Sequence, residues 1–371
     1  MEFWSVNVLC VFLLSVILSG IIIPKILLIS FRKKLFDDVD ERKIHKGAVP
    51  RLGGLAFNPV IFFSIVLVLG LNFVYGRGGL IGHLQENAVE MAFEFCGLLL
   101  LYVVGIADDL IGVRYSAKFL TQIIAGILLI VGGVWIDNLY GLLGIFELPN
   151  WSGYLLTILA IVFFINAINL IDGVDGLASG LCIAASFVYA FSFIVVGYYV
   201  YAAMALATLG VLLPFFYYNV FGKIDRGRKI FMGDTGSLTL GFILSFLSLK
   251  LLTTIDAFVV NYPNPFVLAF SPLMIPCFDV VRVFFRRIRN KKNPFLPDKT
   301  HIHHKLLAMG FSSKVTMMIV VGVSILLTIV NIELSRYINI NIIVFGNIIM
   351  WILLNVGMTR FVNKKKNQSE F

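Results

Sequence analysis

The sequence predicts an all-α polytopic membrane protein with about eleven transmembrane helices. Two features of the composition lead to this class: 59% of the 371 residues are hydrophobic, and only 14% are charged. A soluble globular domain carries about 25% charged residues, so this chain has too few polar groups to cover its own surface. The third observation is a mean hydropathy of +0.93. Bilayer lipid is therefore the expected solvent, and soluble multidomain, collagen-like, disordered and disulfide-scaffold classes are excluded.

Eleven stretches approach the roughly 20 apolar residues that a helix needs to cross the hydrocarbon core. The first has neither a basic start nor a small-residue cleavage site, which indicates a retained span rather than a signal peptide. The four cysteines lie singly in apolar runs and are interpreted as core residues. No soluble domain or repeat array remains, so residues 1–371 are expected to form one integral-membrane domain. The predicted spans are approximately 4–30, 53–75, 88–107, 117–136, 153–171, 177–197, 199–219, 236–254, 265–285, 314–333 and 338–358.

Eleven crossings place the two termini on opposite sides of the membrane. When alternate connecting segments are assigned to one side, together with the basic residues at the adjoining helix ends, that side carries every lysine and arginine except Arg77, Lys250 and Arg336. The positive-inside rule makes this side cytoplasmic. The amino terminus is therefore expected outside, and the basic tail 359–371 inside. The segments assigned to the cytoplasmic side are 31–52, 108–116, 172–176, 220–235, 286–313 and 359–371.

Several of the few carboxylates lie at span ends on this predicted cytoplasmic side. Ionisable groups near membrane depth cost about 2.5–3.5 kcal/mol each on insertion scales, so they usually mark function. The alternative is that each acid is hydrated and balances a nearby basic residue. That alternative explains a single acid better than a set of acids beside glycines on one face. The set is Asp37, Asp108, Asp109, Asp172, Asp175, Asp234 and Asp298.

The adjacent pair Asp108 and Asp109 closes the third predicted span. Neighbouring carboxylates repel each other unless a cation shares them. Oxygen ligands favour Mg²⁺ or Mn²⁺ over zinc. Acids are also common at helix ends, so this pair alone is a weak motif.

A second polar segment ends the fifth span, where Asn166, Asn169 and Asp172 recur every three residues and Asp175 follows. This spacing keeps neighbouring side chains on a shared helix flank. Two glycines after Asp172 predict that the helix breaks there and turns Asp175 back towards the first acid. Two amides and two acids at a broken membrane helix suit a polar ligand in a cavity. Hydrogen bonding between helices is the alternative, and it accounts well for Asn166.

The eighth span opens with a glycine-rich segment that begins at Phe231. Gly233 and Gly236 allow close backbone approach, and free amides at a helix start attract phosphate. Asp234 is placed to hold the metal ion that a phosphate requires. Capping of the helix by Asp234 is the alternative, but it leaves the glycines unexplained.

The largest predicted cytoplasmic loop holds three of the five histidines, at His301, His303 and His304. A zinc site is conceivable, but no cysteine accompanies them and the acids elsewhere suit a hard cation. Phosphate binding or proton transfer is the favoured interpretation. The positive-inside signal explains the lysines of this loop but does not predict clustered histidines.

A basic segment precedes the second span, and it contains Lys46 and ends in Gly53-Gly54. Basic side chains beside a Gly-Gly helix start suit a phosphorylated ligand. Attraction to anionic lipid is the alternative, and it explains Lys33 and Lys34 without any site.

Over about residues 35 to 310, the sequence resembles the polyprenyl-phosphate N-acetylhexosamine-1-phosphate transferase family. The nearest likeness is to the branch that uses UDP-N-acetylglucosamine for O-antigen, enterobacterial common antigen or wall teichoic acid. The form His-Ile-His-His argues against the muramoyl-pentapeptide branch. Five motifs carry the resemblance in order: Arg-Lys-Ile-His-Lys-Gly-Ala-Val-Pro-Arg-Leu-Gly-Gly, Asp-Asp-Leu-Ile-Gly-Val, Asn-Ala-Ile-Asn-Leu-Ile-Asp-Gly-Val-Asp-Gly-Leu-Ala, Phe-Met-Gly-Asp-Thr-Gly-Ser and Asn-Pro-Phe-Leu-Pro-Asp-Lys-Thr-His-Ile-His-His.

The resemblance implies transfer of N-acetylhexosamine 1-phosphate, with N-acetylglucosamine as the first choice of sugar, from a UDP-sugar to undecaprenyl phosphate. UMP would leave, and the enzyme would lie in the bacterial cytoplasmic membrane with its site on the cytoplasmic face. The implied cofactor is Mg²⁺, with Mn²⁺ as a substitute. No nucleic-acid partner is expected, and a homodimer stays an open alternative because some relatives are dimeric.

The resemblance also assigns roles to individual residues. Asp108 and Asp109 would lie at the catalytic centre and, with Asp234, at the metal. The longer chain before Asp234 makes a nucleotide role for Asn219 doubtful. The histidines are also counted as catalytic residues and would meet the diphosphate or the sugar: His301, His303 and His304. The remaining residues are assigned to the nucleotide-sugar, its diphosphate or the uracil: Lys46, Asn169, Asp172, Asp175, Phe231, Gly233 and Arg287.

Three alternatives of function stay open from the sequence. The first is the same reaction with another UDP-N-acetylated sugar. The second is a secondary transporter of an anionic solute, which would spread its acids through the bilayer midplane and show related halves. The third is a CDP-alcohol phosphotransferase, whose acids would stand in one compact motif.

Overall fold

The structure of the protein is a computed structural model that describes residues 2–35, 49–75, 79–254, 264–291 and 300–369. This part of the chain is almost entirely helical, with two short 3₁₀ segments at Gly53–Ala56 and Ser271–Leu273 and one two-stranded hairpin. The strands are β1 (Asn138–Leu142) and β2 (Ile145–Glu147). The helices are α1 (Glu2–Lys33), α2 (Phe57–Val74), α3 (Gly79–Ile111), α4 (Tyr115–Val131), α5 (Asn150–Ile171), α6 (Leu177–Val195), α7 (Tyr199–Phe221), α8 (Gly233–Thr253), α9 (Pro265–Phe270), α10 (Met274–Arg289), α11 (Ile302–Met309), α12 (Ser313–Leu334) and α13 (Ile340–Ser369).

The predicted all-α polytopic class is confirmed. Within the described ranges, ten helical segments are long and apolar enough to cross a membrane, and α9 and α10 together form one of them. These ten correspond to ten of the eleven predicted spans. The eleventh, predicted over 117–136, is α4, which has only 17 residues. That length is the lower limit for a transmembrane helix.

Contacts near the start of α4 and in the hairpin that follows it show that this part of the chain nevertheless runs from one face of the bundle to the other. Near its start, the Lys118 Nζ lies 2.7 Å from an Asp234 carboxylate oxygen, at the beginning of α8. After its end, the chain enters the hairpin, where the Tyr140 hydroxyl donates to the Leu252 carbonyl at 2.7 Å, at the end of α8. Helix α4 together with the segment that follows it therefore runs from the start of α8 to its end, so the described chain crosses the bundle eleven times.

The hairpin of β1 and β2 was not predicted, since residues 137–152 read as a connection between spans. Its strands pair antiparallel, and left-handed backbone angles at Gly141 and Gly144 form the reversal. Asn341, at the start of α13, holds it by accepting from the Leu143 amide at 2.7 Å and donating to the Gly141 carbonyl at 2.8 Å. The hairpin therefore marks the face of the bundle at which α8 ends and α13 begins.

Helix α8 is the centre of the bundle, because every residue from Thr235 to Leu252 is buried. Small residues let neighbouring helices approach it: a Cβ atom at Gly105 of α3 would lie 2.5 Å from the Thr235 Cα, and one at Gly241 would lie 2.7 Å from the Ile165 Cα of α5. The buried hydroxyl of Thr239 donates to the Thr235 carbonyl. A functional group at the start of α8 is therefore held by a rigid element.

The predicted break after the fifth span is confirmed. Helix α5 ends at Ile171 and α6 begins at Leu177, with the glycines of the motif in the intervening turn. Gly176 has a φ of +78°, a conformation that glycine adopts without steric cost. The turn brings the start of α6 back beside the end of α5.

Candidate active site

The segment before α2 and the segment before α8 fix each other through backbone hydrogen bonds. The Phe231 amide donates to the Pro50 carbonyl at 2.9 Å, and the Gly53 and Gly54 amides donate to the carbonyls of Phe231 and Met232 at 3.0 and 2.9 Å. A Cβ atom at Gly54 would overlap the Gly236 nitrogen. The close approach that these glycines permit is therefore between two parts of the protein backbone.

Asp109 caps the start of α8. Its Oδ1 accepts from the Asp234 amide at 2.7 Å, and its Oδ2 accepts from the Thr235 amide at 2.9 Å and the Thr235 hydroxyl at 2.6 Å. The amides predicted to be free for phosphate are thus bonded to this carboxylate. Gly233 has a φ of +75°, and a Cβ atom there would overlap the Arg51 carbonyl oxygen, so the chain requires glycine at this position.

Asp234 directs its side chain away from its own helix and does not act as the helix cap. Its Oδ2 lies 2.7 Å from the Lys118 Nζ, and its Oδ1 accepts from the Asn169 amide at 3.2 Å. The same lysine lies 3.2 Å from the Asp108 Oδ2. One ammonium group therefore joins two carboxylates that are 126 positions apart in the chain.

Lys118 was missed by the sequence analysis, which counted it only as a basic residue at a helix end. It lies one turn inside the apolar helix α4, where a lysine would be costly unless it had a partner. That position is the signal that could have identified it. Asp108 has a second partner, because its Oδ1 accepts from the Val113 amide at 2.8 Å.

The turn between α5 and α6 forms a second wall of the site. Asp172 is accessible to solvent there yet enclosed by protein, and this desolvation, followed by the charges of Asp175 and Asp234, raises the pKa of Asp172 to about 7. Asp175 forms an ion pair with the buried Lys229. The turn thus presents the exposed carboxylate of Asp172 beside the carboxylate of Asp175, which Lys229 neutralises.

Asn219 holds this turn in place. Its Oδ1 accepts from the Gly176 amide at 2.6 Å, and its Nδ2 donates to the Ile230 carbonyl at 2.8 Å. Both ends of the amide therefore form hydrogen bonds within the protein. Lys229 was missed by the sequence analysis because its partner lies 54 positions earlier in the chain.

The histidine segment approaches the same turn from the other side. A Cβ atom at Gly173 would overlap the His303 Nε2, so this imidazole lies directly against the turn. Burial, followed by the neighbouring His304 and His301, lowers the pKa of His303 to about 3. His303 is therefore neutral at physiological pH. The ring of His304 lies next to it, with centroids 4.3 Å apart.

His301 has a different environment. Its Nδ1 lies 2.8 Å from the Oδ2 of Asp279, a fully buried acid of α10. The Asp279 Oδ1 accepts from the Ile302 amide at 3.0 Å and from Arg282 at 2.8 Å. Asp279 was also missed from the sequence, because it lies inside an apolar span. It anchors the start of α11 and orients the His301 ring.

The structure thus brings most of the predicted site residues to one end of the bundle. Asp108, Asp109, Asn169 and Asp234 meet at the start of α8, and Asp172 and Asp175 lie in the adjoining turn. Asn166, by contrast, donates to Gln122 of α4 at 2.7 Å. This bond is the hydrogen bonding between helices that was the alternative interpretation of Asn166. The remaining assignments are as follows: Phe231 is half-buried, Arg287 is buried in the last turn of α10, and Lys46, Asp37 and Asp298 lie outside the described residues.

Comparisons with known proteins identify the family. A family model described as glycosyl transferase family 4 matches residues 91–252, from α3 to the end of α8. The chain is 32% identical over 364 residues to a probable undecaprenyl-phosphate N-acetylglucosaminyl 1-phosphate transferase of Bacillus subtilis (strain 168), covering 97% of this chain and 94% of the relative. The chain belongs to glycosyl transferase family 4.

Two further relatives agree with this membership. The undecaprenyl-phosphate alpha-N-acetylglucosaminyl 1-phosphate transferase of Escherichia coli (strain K12) is 30% identical over 290 residues, which cover 76% of this chain and 71% of the relative. The decaprenyl-phosphate N-acetylglucosaminephosphotransferase of Mycolicibacterium smegmatis is 33% identical over 301 residues, which cover 74% and 69%. The resemblance expected from the five motifs is confirmed.

The site of this family 4 protein has donors that fit Mg²⁺. Among the described residues no three His, Cys, Asp or Glu side chains form a ready-made metal cage. Mg²⁺ does not need one, because it usually binds through one or two carboxylates, several waters and substrate phosphates. Asp108 and Asp234 provide two such carboxylates, and they already share a cation, the Lys118 ammonium. Asp109, the third predicted ligand, is occupied as the α8 cap.

Proposed function

We propose that this protein transfers N-acetylglucosamine 1-phosphate from UDP-N-acetylglucosamine to undecaprenyl phosphate or a similar polyprenyl phosphate. UMP leaves, and the product is a lipid-diphosphate-sugar that starts the synthesis of a cell-envelope polysaccharide. The observation that carries the proposal is the convergence of Asp108, Lys118, Asn169 and Asp234 at the end of an apolar bundle. The choice of sugar and lipid follows the relatives, which are named as N-acetylglucosaminyl 1-phosphate transferases of undecaprenyl phosphate.

Charge is the main obstacle in this reaction, because the attacking group and the leaving group are both phosphates. The second pKa of a phosphate monoester is about 6, so the lipid phosphate is largely dianionic at neutral pH and needs no strong general base. Catalysis then depends on positioning and charge neutralisation. Lys118 supplies a positive charge beside Asp108 and Asp234, and Asp109 fixes the backbone at the start of α8, from which the Asp234 side chain extends.

Asp108 and Asp234 are the residues that would hold Mg²⁺, with Mn²⁺ as a substitute. When bound, the ion would offset the negative charge of the diphosphate. The Asp172–Gly176 turn and His303 form a second wall, and we assign the nucleotide-sugar to this side of the site. His303 is neutral, so it would act there as a hydrogen-bonding group rather than as a cation.

The position of the site in the membrane suits the two substrates. The polyprenyl chain is confined to the bilayer, whereas a UDP-sugar is soluble and cytosolic. The site lies at the end of the bundle to which the positive-inside rule assigns most of the basic residues, so we place it on the cytoplasmic face. There the lipid phosphate and the nucleotide-sugar can meet.

The test uses purified protein in detergent with undecaprenyl phosphate, Mg²⁺ and UDP-N-acetylglucosamine labelled in the sugar. Label is expected in a lipid-diphosphate-sugar with an equal amount of UMP, and none is expected when a chelator removes the metal. Asp234→Asn should abolish transfer, while Asp225→Asn, in the exposed turn after α7, should not. Release of UDP instead of UMP, or a metal requirement unchanged in Asp234→Asn, would contradict the mechanism. A panel of other UDP-N-acetylated sugars tests the choice of sugar.

A further inference from the structure

The C-terminal helix α13 is longer than a membrane requires. Its 30 residues extend about 45 Å at 1.5 Å per residue, against a hydrocarbon core of roughly 30 Å. Its first residues contact the hairpin, so its last turns extend past the opposite face, where the site lies. The short helix α11, which carries His303 and His304, packs against the C-terminal half of α13.

Lys305 of α11 is the main polar link between the two helices. Its Nζ donates to the Asn355 Oδ1 at 3.0 Å, the Thr359 hydroxyl at 3.0 Å and the Asn355 carbonyl at 3.3 Å. An ammonium group has three protons, and these three acceptors use all of them. Asn355 is buried and also donates to the Trp351 carbonyl at 3.0 Å, so the acceptors are themselves fixed.

A second link joins the end of α11 to the same helix. Helix α11 stops at Met309, and Gly310 follows with a φ of +103°. The Lys365 Nζ donates to the Met309 carbonyl at 3.1 Å, one of the carbonyls that a helix end leaves without an intrahelical partner. Helix α13 therefore holds α11 along its side and at its end, while Asp279 of α10 holds its start.

The position of His303 depends on this arrangement. Residues two positions apart point to nearly opposite sides of a helix, so Lys305 faces α13 while His303 faces Gly173. The His303 Nδ1 is buried and has no hydrogen-bond partner within the described ranges. Among the described residues, the ring is placed by its contacts with Gly173, His301 and His304, and so by the position of α11, rather than by a hydrogen bond at Nδ1.

We propose that Lys305, Asn355 and Thr359 are positioning residues, through which α13 holds His303 against the wall of the nucleotide-sugar site. The inference rests on the proposed function and adds to it that the C-terminal helix is part of the catalytic apparatus. Loss of the link would let α11 shift away from the Asp172–Gly176 turn. Misplacement by about 1 Å can cost about a hundredfold in rate, so a link far from the reacting atoms can control turnover.

The test compares Lys305→Met, which keeps the length of the side chain and removes its donors, with Lys305→Arg, which keeps donors. Lys305→Met is expected to lower kcat by about 10- to 100-fold, with KM for UDP-N-acetylglucosamine changed by less than about threefold, and Lys305→Arg should restore most of the activity. Thr359→Val should act in the same direction with a smaller effect. Lys364→Met, at an exposed position of α13, is the matched control and should match the wild type.

A double-mutant cycle separates positioning from a general effect on folding. If Lys305 acts through His303, Lys305→Met should have little further effect in a His303→Asn background, whereas independent effects would multiply. Multiplying effects, or unchanged turnover in Lys305→Met, would overturn the proposal. Hydrogen exchange of the amides of 303–309 should be faster in Lys305→Met. Hydrogen exchange does not require transferase activity. If the wild-type protein proved inactive in the transfer assay, the proposed function would be refuted, but the link between α13 and α11 could still be tested.

Discussion

Asp109 and Asp234 carry the same charge in the same cleft, but their surroundings give them different tasks. Both oxygens of Asp109 accept hydrogen bonds from the start of α8. Asp234 is bonded by side chains that can move aside, the Lys118 ammonium and the Asn169 amide. A carboxylate whose partners are mobile side chains can exchange them for a ligand, whereas one that caps a buried helix cannot do so without disturbing that helix.

Lys118 is the residue whose substitution best tests the electrostatics of the site. Lys118→Met should lower turnover by about a hundredfold, the order of loss seen when one preorganised charge-stabilising donor is removed. The same change should lower the Mg²⁺ concentration needed for half-maximal activity, because Asp108 and Asp234 lose the cation that they share. Both quantities come from a magnesium titration of the transfer reaction. Lys223→Met, at an exposed position after α7, is the control, and equal turnover in the two variants would contradict this role.

His303 predicts a specific dependence of stability on pH. Its pKa is lowered from 6.5 to about 3 in the folded protein, so below pH 6.5 the unfolded chain binds a proton that the folded chain does not. The free energy of unfolding is therefore unaffected by protonation of His303 above pH 6.5, and it decreases as the pH falls from 6.5 towards 3. Between pH 7 and pH 5 the wild type should lose roughly 2 kcal/mol more than His303→Gln, at about 1.36 kcal/mol per pH unit below 6.5. Chemical unfolding in detergent at both pH values measures this difference, and equal losses in the two proteins would refute it.

At the scale of elements, the long apolar helices could be predicted because their signal is local. Ten spans satisfy length and hydropathy by themselves, and glycines after Asp172 correctly predicted the break between α5 and α6. The hairpin could not be predicted, because it is held by the distant Asn341. The same reason applies to single residues. Asp234 was selected from its motif. The role of Asp279 could not be predicted, because it depends on contact with His301, 22 positions away.

The geometry of the site depends on the contact between the segment before α2 and the start of α8. Gly54→Ala would place a Cβ atom on the Gly236 nitrogen, in backbone that cannot rotate away. Overpacking of this kind costs about 1–3 kcal/mol, and the displacement of α8 should also reduce transfer activity. Gly70→Ala, in helix α2 directly after the 3₁₀ segment of Gly54 and with nothing within 4 Å of its Cβ atom, is the control. It should be neutral or slightly stabilising, because alanine is favoured over glycine inside a helix. Thermal unfolding in detergent measures both changes, and equal midpoints for the two variants would contradict the contact.

At the scale of the whole molecule, the bundle has two chemically different ends. At one end lie the paired carboxylates, the Asp172–Gly176 turn and α11, and at the other lie the hairpin, the end of α8 and the start of α13. The transporter alternative requires polar residues along a path between the ends, with related halves. Membership of glycosyl transferase family 4 and the clustering of the site at one end favour the enzyme.

These two ends yield a prediction of membrane orientation. The hairpin end should face outside and the acidic end inside, because the basic residues gather at the acidic end. In a variant without its four native cysteines, we would introduce Phe146→Cys, at an exposed hairpin position, or Lys364→Cys, in the last turns of α13. A membrane-impermeant maleimide applied to right-side-out vesicles should label position 146 at once and position 364 only after detergent.

The possible labelling patterns test two different features, the side of the membrane on which the site lies and the number of crossings. The reverse pattern would turn the site away from the cytosolic nucleotide-sugar and contradict the proposed function. Labelling of both positions in sealed vesicles would contradict the eleven crossings, since α13 begins at the hairpin end and its last turns lie beside α11 at the other. The tail then supplies a physical reason for the orientation. Three consecutive lysines at 364–366 would have to cross the bilayer if it were inverted, and each such charge costs about 2.5–3.5 kcal/mol on insertion scales.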